Sequence, residues 1–387
     1  MKNPHPPIRI LTAVPICDGH DSAINTINLE LIRHGIEIIY LGYHRPARDI
    51  VRAAIQEDVR AIGISSYNGG HVEFFSEIID LLRKSGSGHI GVFGGGGGTI
   101  TKADAAAMQK GGVDRIFFAG TPLDLIMKFI AEHYGKPQKR LALGPIRDGF
   151  HSERQIAALL TAAVEDMRGR GSEILHPSSK VHTRTIGFTG PGGVGKTTLI
   201  DEIVLRYLDA FPKSRIAILS HDPSIVGRGA LLGDRASMIY SQDNRVFMRS
   251  LASRGQPGGV AQGTDRCLQV LKHVKPHGHS GEFDLILVET VGIGQEAVPF
   301  QKEWVDQTVM VMGPDYGSRL QLQKIAMLDL ADIVVVNKSD LAGAKTASLE
   351  IEQRLEASDQ KPEIVSTIAK HHRDPGVDRL FRFLMKK

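Results

Sequence analysis

Cysteine is nearly absent from this sequence, since only Cys17 and Cys267 occur among 387 residues. Two isolated cysteines exclude a disulfide framework and a cysteine-based zinc site, and they indicate a reducing, cytoplasmic compartment. Long apolar runs are also missing, because no window approaches the roughly 20 apolar residues that span a bilayer. Residues 1–7 contain no apolar core, so we expect neither a signal peptide nor a membrane partner.

Aromatic residues and basic clusters are scarce as well. Aromatic side chains make up 6% of the chain, and the formal net charge of +4 arises from charges of both signs spread throughout. No block of Lys and Arg alternates with aromatic residues, which argues against a nucleic-acid partner. The 42% hydrophobic and 23% charged residues are typical of a globular α/β protein, and the length favours two domains.

The first third of the chain has the pattern of a doubly wound parallel sheet, because apolar segments of strand length alternate with segments of helical period. The predicted strands are Ile8–Val14, Ile36–Leu41, Ala61–Ser65, His89–Phe93 and Arg115–Phe118. The predicted helices are Ser22–Arg33, Ala47–Glu57, Val72–Lys84, Ala103–Lys110 and Leu123–His133. Ligands of such sheets bind at the carboxyl ends of the strands, so the loops that follow the first, third and fourth strands form the expected binding edge.

The loop after the first predicted strand contains a histidine suited to a metal. A single loop histidine such as His20 is more often an ordinary surface residue. Asp18, two residues earlier, is placed to accept the second ring N–H and so fix the tautomer of a metal-bound imidazole. The loop after the fourth strand contains five consecutive glycines, Gly94–Gly98. They permit positive φ and close approach of a ligand, although a flexible turn would have the same composition.

Three stretches together resemble the cobalamin-binding domain family, whose fold is flavodoxin-like. They are Asp18-Gly19-His20-Asp21-Ser22-Ala23, Ser65-Ser66-Tyr67 and Gly94-Gly95. The resemblance implies that His20 is the lower axial cobalt ligand, that Asp18 is its partner, and that Ser65, Gly94 and Gly95 line the nucleotide tail of the cofactor. Ala23 and Tyr67 depart from the general family pattern, which has Gly and Leu there. Similar departures occur in the N-terminal part of fused isobutyryl-CoA mutases.

Gly, Pro and Ser residues punctuate the segment between Leu141 and Thr183, which marks a domain boundary. A helix predicted near Arg154–Met167 lies inside it and is free to pack on either side. We therefore expect a cobalamin-binding domain over residues 1–140, a linker with a helix over 141–183 and a second domain over 184–387.

The second domain opens with a strand, a glycine-rich loop and a helix. The strand Thr185–Phe188 precedes a complete Gly-x-x-x-x-Gly-Lys-Thr motif. In such a loop the backbone N–H groups and the helix N-terminus cradle phosphates, the lysine reaches the β and γ phosphates, and the threonine hydroxyl binds Mg²⁺. The predicted nucleotide-binding residues are Gly190, Gly192, Gly193, Val194, Gly195, Lys196, Thr197 and Thr198.

The base of the nucleotide is predicted from Asn337-Lys338-Ser339-Asp340, which follows the apolar strand Ile333–Val336. The Asp340 carboxylate is able to accept both the ring N–H and the exocyclic amino group of guanine. Adenine lacks that pair of donors, so Asn337, Lys338 and Asp340 favour GTP or GDP over ATP.

Three carboxylates lie at further predicted strand ends: Asp222, Asp234 and Glu289. A lone carboxylate in a loop is usually just solvated. Three at converging strand ends behind a phosphate loop are suited to hold Mg²⁺ with Thr197 and to orient the attacking water, with Lys196 completing the catalytic set. Gly292 is placed to present its N–H to the γ-phosphate.

The second half resembles the GTPase chaperones of methylmalonyl-CoA mutase. The resemblance rests on residues 229–235, 248–252, 289–295 and 337–340. It implies that Gln321 and Lys324 lie in a mobile third switch, where they complete the catalytic site of a neighbouring subunit in a homo-oligomer. An amphipathic helix with solvated polar residues is the alternative for that segment. The resemblance also implies that Thr367 and Ala369 close over guanine. The Asp222–Asp234 segment is one residue shorter than in stand-alone chaperones.

Taken together, both halves resemble the N-terminal part of fused isobutyryl-CoA mutases. That likeness implies an adenosylcobalamin-binding small subunit joined to a GTPase metallochaperone, which uses GTP hydrolysis to gate cofactor loading or removal. A large TIM-barrel acyl-CoA mutase subunit and an adenosyltransferase are then the expected partners.

Three other interpretations stay open at this point. A piece of a longer fused mutase would have the same sequence. A cobalamin-responsive GTPase regulator outside any mutase would also combine these domains. A nickel-chaperone GTPase is the third, although its usual His or Cys clusters contrast with the 16 scattered histidines here.

Overall fold

The computed structural model describes residues 7–136, 149–165, 183–224, 228–292, 300–301, 303–316, 326–356 and 361–386. Two large parallel sheets dominate the molecule, and helices cover both faces of each. The predicted α/β class, with a doubly wound first half and a P-loop second half, is confirmed. No helix within these described ranges is long and apolar enough to cross a bilayer.

The first sheet contains the predicted elements with small shifts at their ends. Its own strands are β1 Arg9–Ala13, β2 Glu37–Tyr40, β3 Ala61–Ser65, β4 Gly91–Gly95 and β5 Arg115–Phe117. The helices are α1 Ser22–Arg33, α2 Ala47–Gln56, α3 His71–Lys84, α4 Lys102–Gly111 and α5 Leu123–Tyr134. The spatial order is β5-β4-β3-β1-β2, so loops from β1, β3 and β4 converge at one edge.

Strand β4 lies two residues later than predicted, so Gly94 and Gly95 are strand residues and not part of a loop. They pair with the end of β3, where Ser65 is the register partner of Gly95. A Cβ atom on Gly94 would lie 2.4 Å from Phe75, and one on Gly95 would lie 2.5 Å from the Phe117 carbonyl oxygen. These two glycines are therefore required by packing inside the protein. Within the glycine run, a positive φ is found at Gly98, where it is 95°.

The connection contributes β6 Phe150–His151 and α6 Glu153–Glu165. β6 pairs with β11, Lys275–Pro276, of the second half. The apolar face of α6 joins the core of the second half, where Leu160 is fully buried. The N-terminal end of α6 reaches back to the first half, because Glu153 accepts hydrogen bonds from Arg52 (2.8 Å) and Gln56 (2.9 Å). The linker helix thus packs on both halves.

The second sheet has seven strands in the order β10-β8-β12-β7-β13-β14-β15. They are β7 Arg184–Thr189, β8 Ile216–Asp222, β10 Val246–Ala252, β12 Leu285–Glu289, β13 Gln307–Met312, β14 Ile333–Val336 and β15 Glu363–Ser366. The helices are α7 Lys196–Ala210, α8 Asp234–Ser237, α9 Thr264–His273, α10 Ala344–Glu356 and α11 Pro375–Met385. Short 3₁₀ turns occur at Tyr240–Gln242, Pro257–Gly259, Pro314–Tyr316 and Ala326–Asp329.

One short strand of the second half belongs to the first sheet. Strand β9, Ala230–Leu232, pairs in parallel with β2 and extends the first sheet to six strands. Gly229 enters this strand against α1, where a Cβ atom would lie 2.0 Å from the Ile36 carbonyl oxygen. Because β9 lies between Asp222 and Asp234, the segment that carries two predicted magnesium ligands is also part of the first sheet.

Candidate functional sites

The loop between β1 and α1 presents an oriented imidazole at the surface. The side chain of His20 is 63% exposed, and its Nδ1 lies 2.8 Å from Asp18 Oδ1. A carboxylate only accepts hydrogen bonds, so Nδ1 carries the proton and Nε2 presents its lone pair outward. This is the tautomer that a metal ligand requires, and it agrees with the predicted pairing of Asp18 with His20.

Asp18 is itself fixed from beneath the loop. Its side chain is fully buried and accepts backbone hydrogen bonds from His20, Tyr67 and Asn68, the last at 3.2 Å. Burial by itself would raise the pKa of this carboxyl, but the backbone hydrogen bonds and the His20 contact outweigh burial and hold the pKa below its ordinary value. Asp18 therefore remains an anion that accepts the His20 proton.

The surroundings of His20 fit the lower face of a large planar ligand. The rings of His20 and Tyr67 are 4.7 Å apart, and Ile16, Tyr43 and Tyr67 are large apolar residues left exposed around the loop. Ser65, Gly94 and Gly95 lie at the ends of β3 and β4, on the same edge of the sheet as His20. An outward Nε2 beside an exposed apolar rim suits a corrin that offers cobalt to the imidazole.

The phosphate loop joins β7 to α7. Gly190, Gly193 and Gly195 have positive φ, and a Cβ atom on Gly190 would lie 2.0 Å from the Val311 carbonyl oxygen. Lys196 Nζ donates to the carbonyl oxygens of Gly190 (2.9 Å) and Pro191 (3.0 Å). Burial lowers the Lys196 pKa, while Glu289 and Asp234 oppose that effect. The Lys196 ammonium thus binds two backbone carbonyl oxygens, which phosphate oxygens of a nucleotide are able to replace.

Around this loop, the remaining predicted positions are distributed as follows. Val194 is buried, Gly192 and Thr198 are exposed, and a Cβ atom on Gly292 would lie 2.4 Å from the Gly192 backbone. Gly292 therefore abuts the loop that it is predicted to complete. Gln321 and Lys324 lie outside the described residues.

The three predicted magnesium carboxylates crowd behind Thr197. Thr197 Oγ1 lies 2.7 Å from Glu289 Oε1 and 3.5 Å from Asp234 Oδ1, while Ser220 donates to the other oxygen of Asp234. Burial, followed by repulsion from Asp234, raises the Glu289 pKa to about 8. Burial and the same neighbour raise the Asp222 pKa well above its ordinary value, and burial raises that of Asp234.

Two oxygens of this group, Asp222 Oδ2 and Glu289 Oε2, are buried without a hydrogen-bond partner. Within the described part of the chain, no set of three or more His, Cys, Asp or Glu side chains is already arranged around a metal position. The donor set nevertheless fits Mg²⁺, which takes few protein oxygens and relies on waters and phosphates for the rest.

The guanine-specific residues are tied to the phosphate loop and to each other. Asn337 donates to Val194 O (2.9 Å) and accepts from Thr367 Oγ1 and Ala369 N, both at 3.0 Å. Lys338 Nζ donates to Gly193 O at 2.7 Å. Asp340 pairs with Lys370 at 2.5 Å, and this hydrogen bond holds the pKa of Asp340 below its ordinary value. The structure thus brings all of the predicted base-site residues together.

Sequence reasoning did not identify two side chains beside these sites. Lys370 follows Ala369 directly, and its place in the same loop was the available signal. His221 is buried between the Glu289 carbonyl oxygen (2.7 Å) and Thr264 Oγ1 (2.9 Å), and burial lowers its pKa to about 4. His221 is therefore neutral and fixes the backbone that carries Glu289.

A charge cluster that is buried except for the half-buried Arg254 joins the two halves. We call it the junction cluster, and its members are Arg9, Glu37, Glu57, Arg235, Arg249 and Arg254. Glu57 is fully buried and accepts from Arg9 (2.7 Å) and Arg235 (3.1 Å). Glu37 accepts from Arg9 (2.8 Å) and Arg254 (2.6 Å). Arg9 therefore bridges the two carboxylates of the first half, and each carboxylate holds an arginine of the second.

The junction cluster is connected to the proposed nucleotide site through the chain, because Arg235 is the residue after Asp234. Arg235 is also fully buried and donates to the Met248 carbonyl oxygen. A displacement of the Asp234 backbone would therefore also displace Arg235 and disturb its ion pair with Glu57. No local pattern could have paired Glu57 with Arg235, since 178 positions separate them.

Comparison with known proteins assigns both halves. The model of the methylmalonyl Co-A mutase-associated GTPase MeaB family matches residues 160–386, and the B12 binding domain model matches residues 8–124. A fused isobutyryl-CoA mutase of Geobacillus kaustophilus is 35% identical over 405 residues, which cover 97% of this chain and 36% of the relative. A fused isobutyryl-CoA mutase of Cupriavidus metallidurans is 36% identical over 400 residues, which cover 99% of this chain and 36% of the relative.

A putative GTPase of Pyrococcus abyssi is 35% identical over 232 residues, which cover 56% of this chain and 67% of the relative. The chain thus spans about a third of the length of the fused mutases. The predicted resemblance of this chain to fused isobutyryl-CoA mutases is confirmed. Cobalamin and guanine nucleotides are the ligands to which the two matched families correspond. The chain belongs to the family of methylmalonyl Co-A mutase-associated GTPases and carries a B12-binding domain in front of its GTPase domain.

Proposed function

We propose that this chain carries adenosylcobalamin on His20 for an acyl-CoA mutase of the isobutyryl-CoA type, and that its GTPase gates the loading or removal of that cofactor. The observation that carries the proposal is that one chain combines two features. His20 presents its Nε2 outward, and the junction cluster connects the half that contains His20 to Arg235, the residue beside Asp234. When bound, the cofactor supplies the radical chemistry of the carbon-skeleton rearrangement.

In the first domain the protein's part is to hold and orient. Asp18 keeps the Nδ1 proton of His20 in place, so that Nε2 is available to cobalt. Ser65, Gly94 and Gly95 lie at the adjacent ends of β3 and β4, where the nucleotide tail would run along the edge of the sheet. Tyr67, whose ring lies 4.7 Å from that of His20, limits the movement of the imidazole.

In the second domain the protein's part is to neutralise charge. Lys196 exchanges its two carbonyl partners for phosphate oxygens when GTP enters. Thr197, Asp222, Asp234 and Glu289 would supply oxygen atoms for Mg²⁺, and Glu289 would have to be deprotonated to serve as a ligand. Gln321 and Lys324 complete the catalytic site of a neighbouring subunit. A homo-oligomer would therefore be required for full GTPase activity.

The coupling between the sites follows from differential binding. Nucleotide shifts the cobalamin domain only if its affinity differs between two arrangements of the chain. Asp234 faces the phosphate side and Arg235 pairs with Glu57, so a rearrangement of this turn changes the junction cluster. GTP favours the arrangement open to cofactor exchange, and hydrolysis favours the closed one.

Two partners complete the proposal: a large mutase subunit or segment with a TIM barrel that binds the acyl-CoA, and an adenosyltransferase that supplies the cofactor. Copurification of such a barrel protein supports the assignment to a mutase. A cobalamin-dependent partner without a barrel would instead favour a GTPase regulator.

The experiment is an anaerobic titration of adenosylcobalamin into the chain and into His20→Ala, followed by the cobalt absorption spectrum. We expect a base-off, histidine-ligated spectrum for the wild type and its loss in the variant. His34→Ala, on the exposed C-terminal end of α1, is the matched control. Wild-type protein that shows no cobalamin binding would overturn the proposal.

A further inference from the structure

A second histidine, His44, lies against the loop that carries His20. It sits between β2 and α2, is exposed, and adopts a left-handed backbone conformation with φ of 57°. Such a conformation is strained for a non-glycine residue and persists only where the surroundings enforce it. Glycine would adopt this conformation without strain. The presence of histidine therefore suggests that its side chain makes a useful contact.

Three contacts join His44 to the ligand loop. Its Nδ1 lies 3.1 Å from the Ile16 carbonyl oxygen, and its backbone N–H donates to the Asp18 carbonyl oxygen at 3.4 Å. A carbonyl only accepts, so Nδ1 carries the ring proton. A Cβ atom on Gly19 would lie 3.6 Å from both Cε1 and Nε2 of the His44 ring, so Gly19 lies over the imidazole.

The ligand loop is therefore held from both neighbouring strands. On the β3 side, the Tyr67 and Asn68 amides bind the Asp18 carboxylate. On the β2 side, His44 binds the backbone of the same loop, and the adjacent Arg45 N–H donates to the Val14 carbonyl oxygen at 3.1 Å. The two supports differ in kind, because one fixes a side chain and the other fixes the peptide groups that surround it.

We propose that His44 is a positioning residue for the cobalt ligand: it fixes the peptide path from Ile16 to Gly19 and thereby the direction of His20 Nε2. This inference rests on the proposed function, because it presupposes cobalamin at His20. The His20 side chain is 63% exposed, so its direction depends on the loop beneath it and not on a surrounding core.

Three substitutions separate the side-chain support from backbone strain. His44→Gly removes the imidazole and relieves the left-handed conformation, so global stability does not fall. His44→Ala removes the imidazole and keeps the strain. His44→Asn tolerates the left-handed conformation and retains an amide donor for the Ile16 carbonyl oxygen. His34→Ala is the control, since His34 Nδ1 lies against Glu30 of its own helix, 2.9 Å from the carbonyl oxygen and 3.5 Å from the carboxylate.

The first measurement is the dissociation constant of adenosylcobalamin together with the nitrogen hyperfine splitting of bound cob(II)alamin, each on the full chain. We expect about a tenfold weaker affinity and a broadened nitrogen splitting for His44→Gly, as for other residues that support a metal ligand. His44→Asn restores both, and His34→Ala changes neither. Wild-type affinity and splitting in His44→Gly would overturn the inference.

The second measurement does not need the cofactor. Amide hydrogen exchange of residues 16–20 in the cofactor-free chain is expected to be faster in His44→Gly than in the wild type, and unchanged in His34→Ala. Equal exchange in His44→Gly and the wild type contradicts a positioning role. If the exchange changes as expected but the wild type binds no cobalamin, the proposed function fails while the contact between His44 and the loop stands.

Discussion

The two ligand sites both lie at the carboxyl ends of parallel strands, yet their electrostatics are opposite. Hydrogen bonds from backbone amides hold the pKa of Asp18 below its ordinary value, whereas burial raises the pKa of Asp222, Asp234 and Glu289. In the proposed cobalamin site, Asp18 and His20 are thus already paired. The proposed nucleotide site gathers carboxylates whose charge a cation would balance, so we expect the first site to be preformed and the second to be completed by Mg²⁺.

The junction cluster connects the half with the cobalamin site to the half with the nucleotide site. Loss of this cluster should therefore have the largest effect. We expect Glu57→Ala to lower the free energy of unfolding by about 3–5 kcal/mol, because the buried charges of Arg235 and Arg249 then lose the carboxylate that faces them. Urea unfolding measures the change.

The matched control for the junction is Glu30→Ala. Glu30 pairs with Arg33, whose side chain is 75% exposed, so the loss should stay below about 1 kcal/mol. Equal losses of unfolding free energy in Glu57→Ala and Glu30→Ala would show that the junction cluster does not stabilise the arrangement of the two halves.

Lys196→Ala should separate the two sites. We expect GTP hydrolysis to fall by at least about 100-fold, because the ammonium that neutralises the phosphates is gone, while the cobalamin affinity measured without nucleotide is unchanged. Phosphate release and the cobalamin spectrum measure the two effects. Lys345→Ala, an exposed lysine on α10, should leave both at wild-type values. A parallel loss of cobalamin affinity in Lys196→Ala would contradict the separation.

Asp18→Asn should sharpen the account of the preformed site. The amide keeps the shape of the carboxylate but loses the charge that holds the His20 proton. We expect cobalamin affinity to fall by about 10–100-fold, as for other partners of metal ligands. Asp80→Asn, at an exposed position of α3, is the control. Unchanged binding in Asp18→Asn would show that His20 needs no partner.

The cation-completed site should respond to pH. Glu289 has a pKa of about 8 in the folded chain, above its ordinary value of 4.5. The folded state then binds this proton more tightly than the unfolded state, so the contribution of Glu289 to the stability of the Mg²⁺-free protein falls as the pH rises from 4.5 to about 8.

Mg²⁺ displaces the same proton, so its affinity should rise with pH by up to about tenfold per unit until pH 8 is reached. Calorimetric titration of Mg²⁺ in the presence of GDP, between about pH 6 and pH 9, measures this slope. Glu289→Gln should lower the slope, although Asp222 and Asp234 also have raised pKa values, and should weaken Mg²⁺ binding. A Mg²⁺ affinity that is independent of pH in the wild type would contradict the raised pKa of Glu289.

Local patterns predicted most of the fold. Helix Ser22–Arg33 and strands Ala61–Ser65 and Ile333–Val336 occur with the predicted bounds, because their apolar spacing and flanking residues are consistent with one structure. The phosphate loop was equally readable, since its glycines and Lys196 act within one short segment. Gly94 and Gly95 were placed in a loop because the sequence does not reveal that Phe75 and Phe117 occupy the space beside them.

Long-range pairing was beyond such patterns. Strand β9 has three residues and too little sequence to specify which sheet it joins, and its partner β2 lies almost 200 positions earlier. The arginines of the junction cluster have the same appearance in sequence as solvated charges. Arg235 and Arg249 are nevertheless among the largest fully buried side chains, because Glu57 lies between them in space.

The central claim is that nucleotide state and cobalamin binding are linked through the junction cluster. The most direct test is the dissociation constant of adenosylcobalamin in the presence of a non-hydrolysable GTP analogue and of GDP, for the wild type and for Glu57→Gln, which keeps the shape of Glu57. We expect different constants with the two nucleotides in the wild type and equal constants in the variant. Equal constants in the wild type would contradict it.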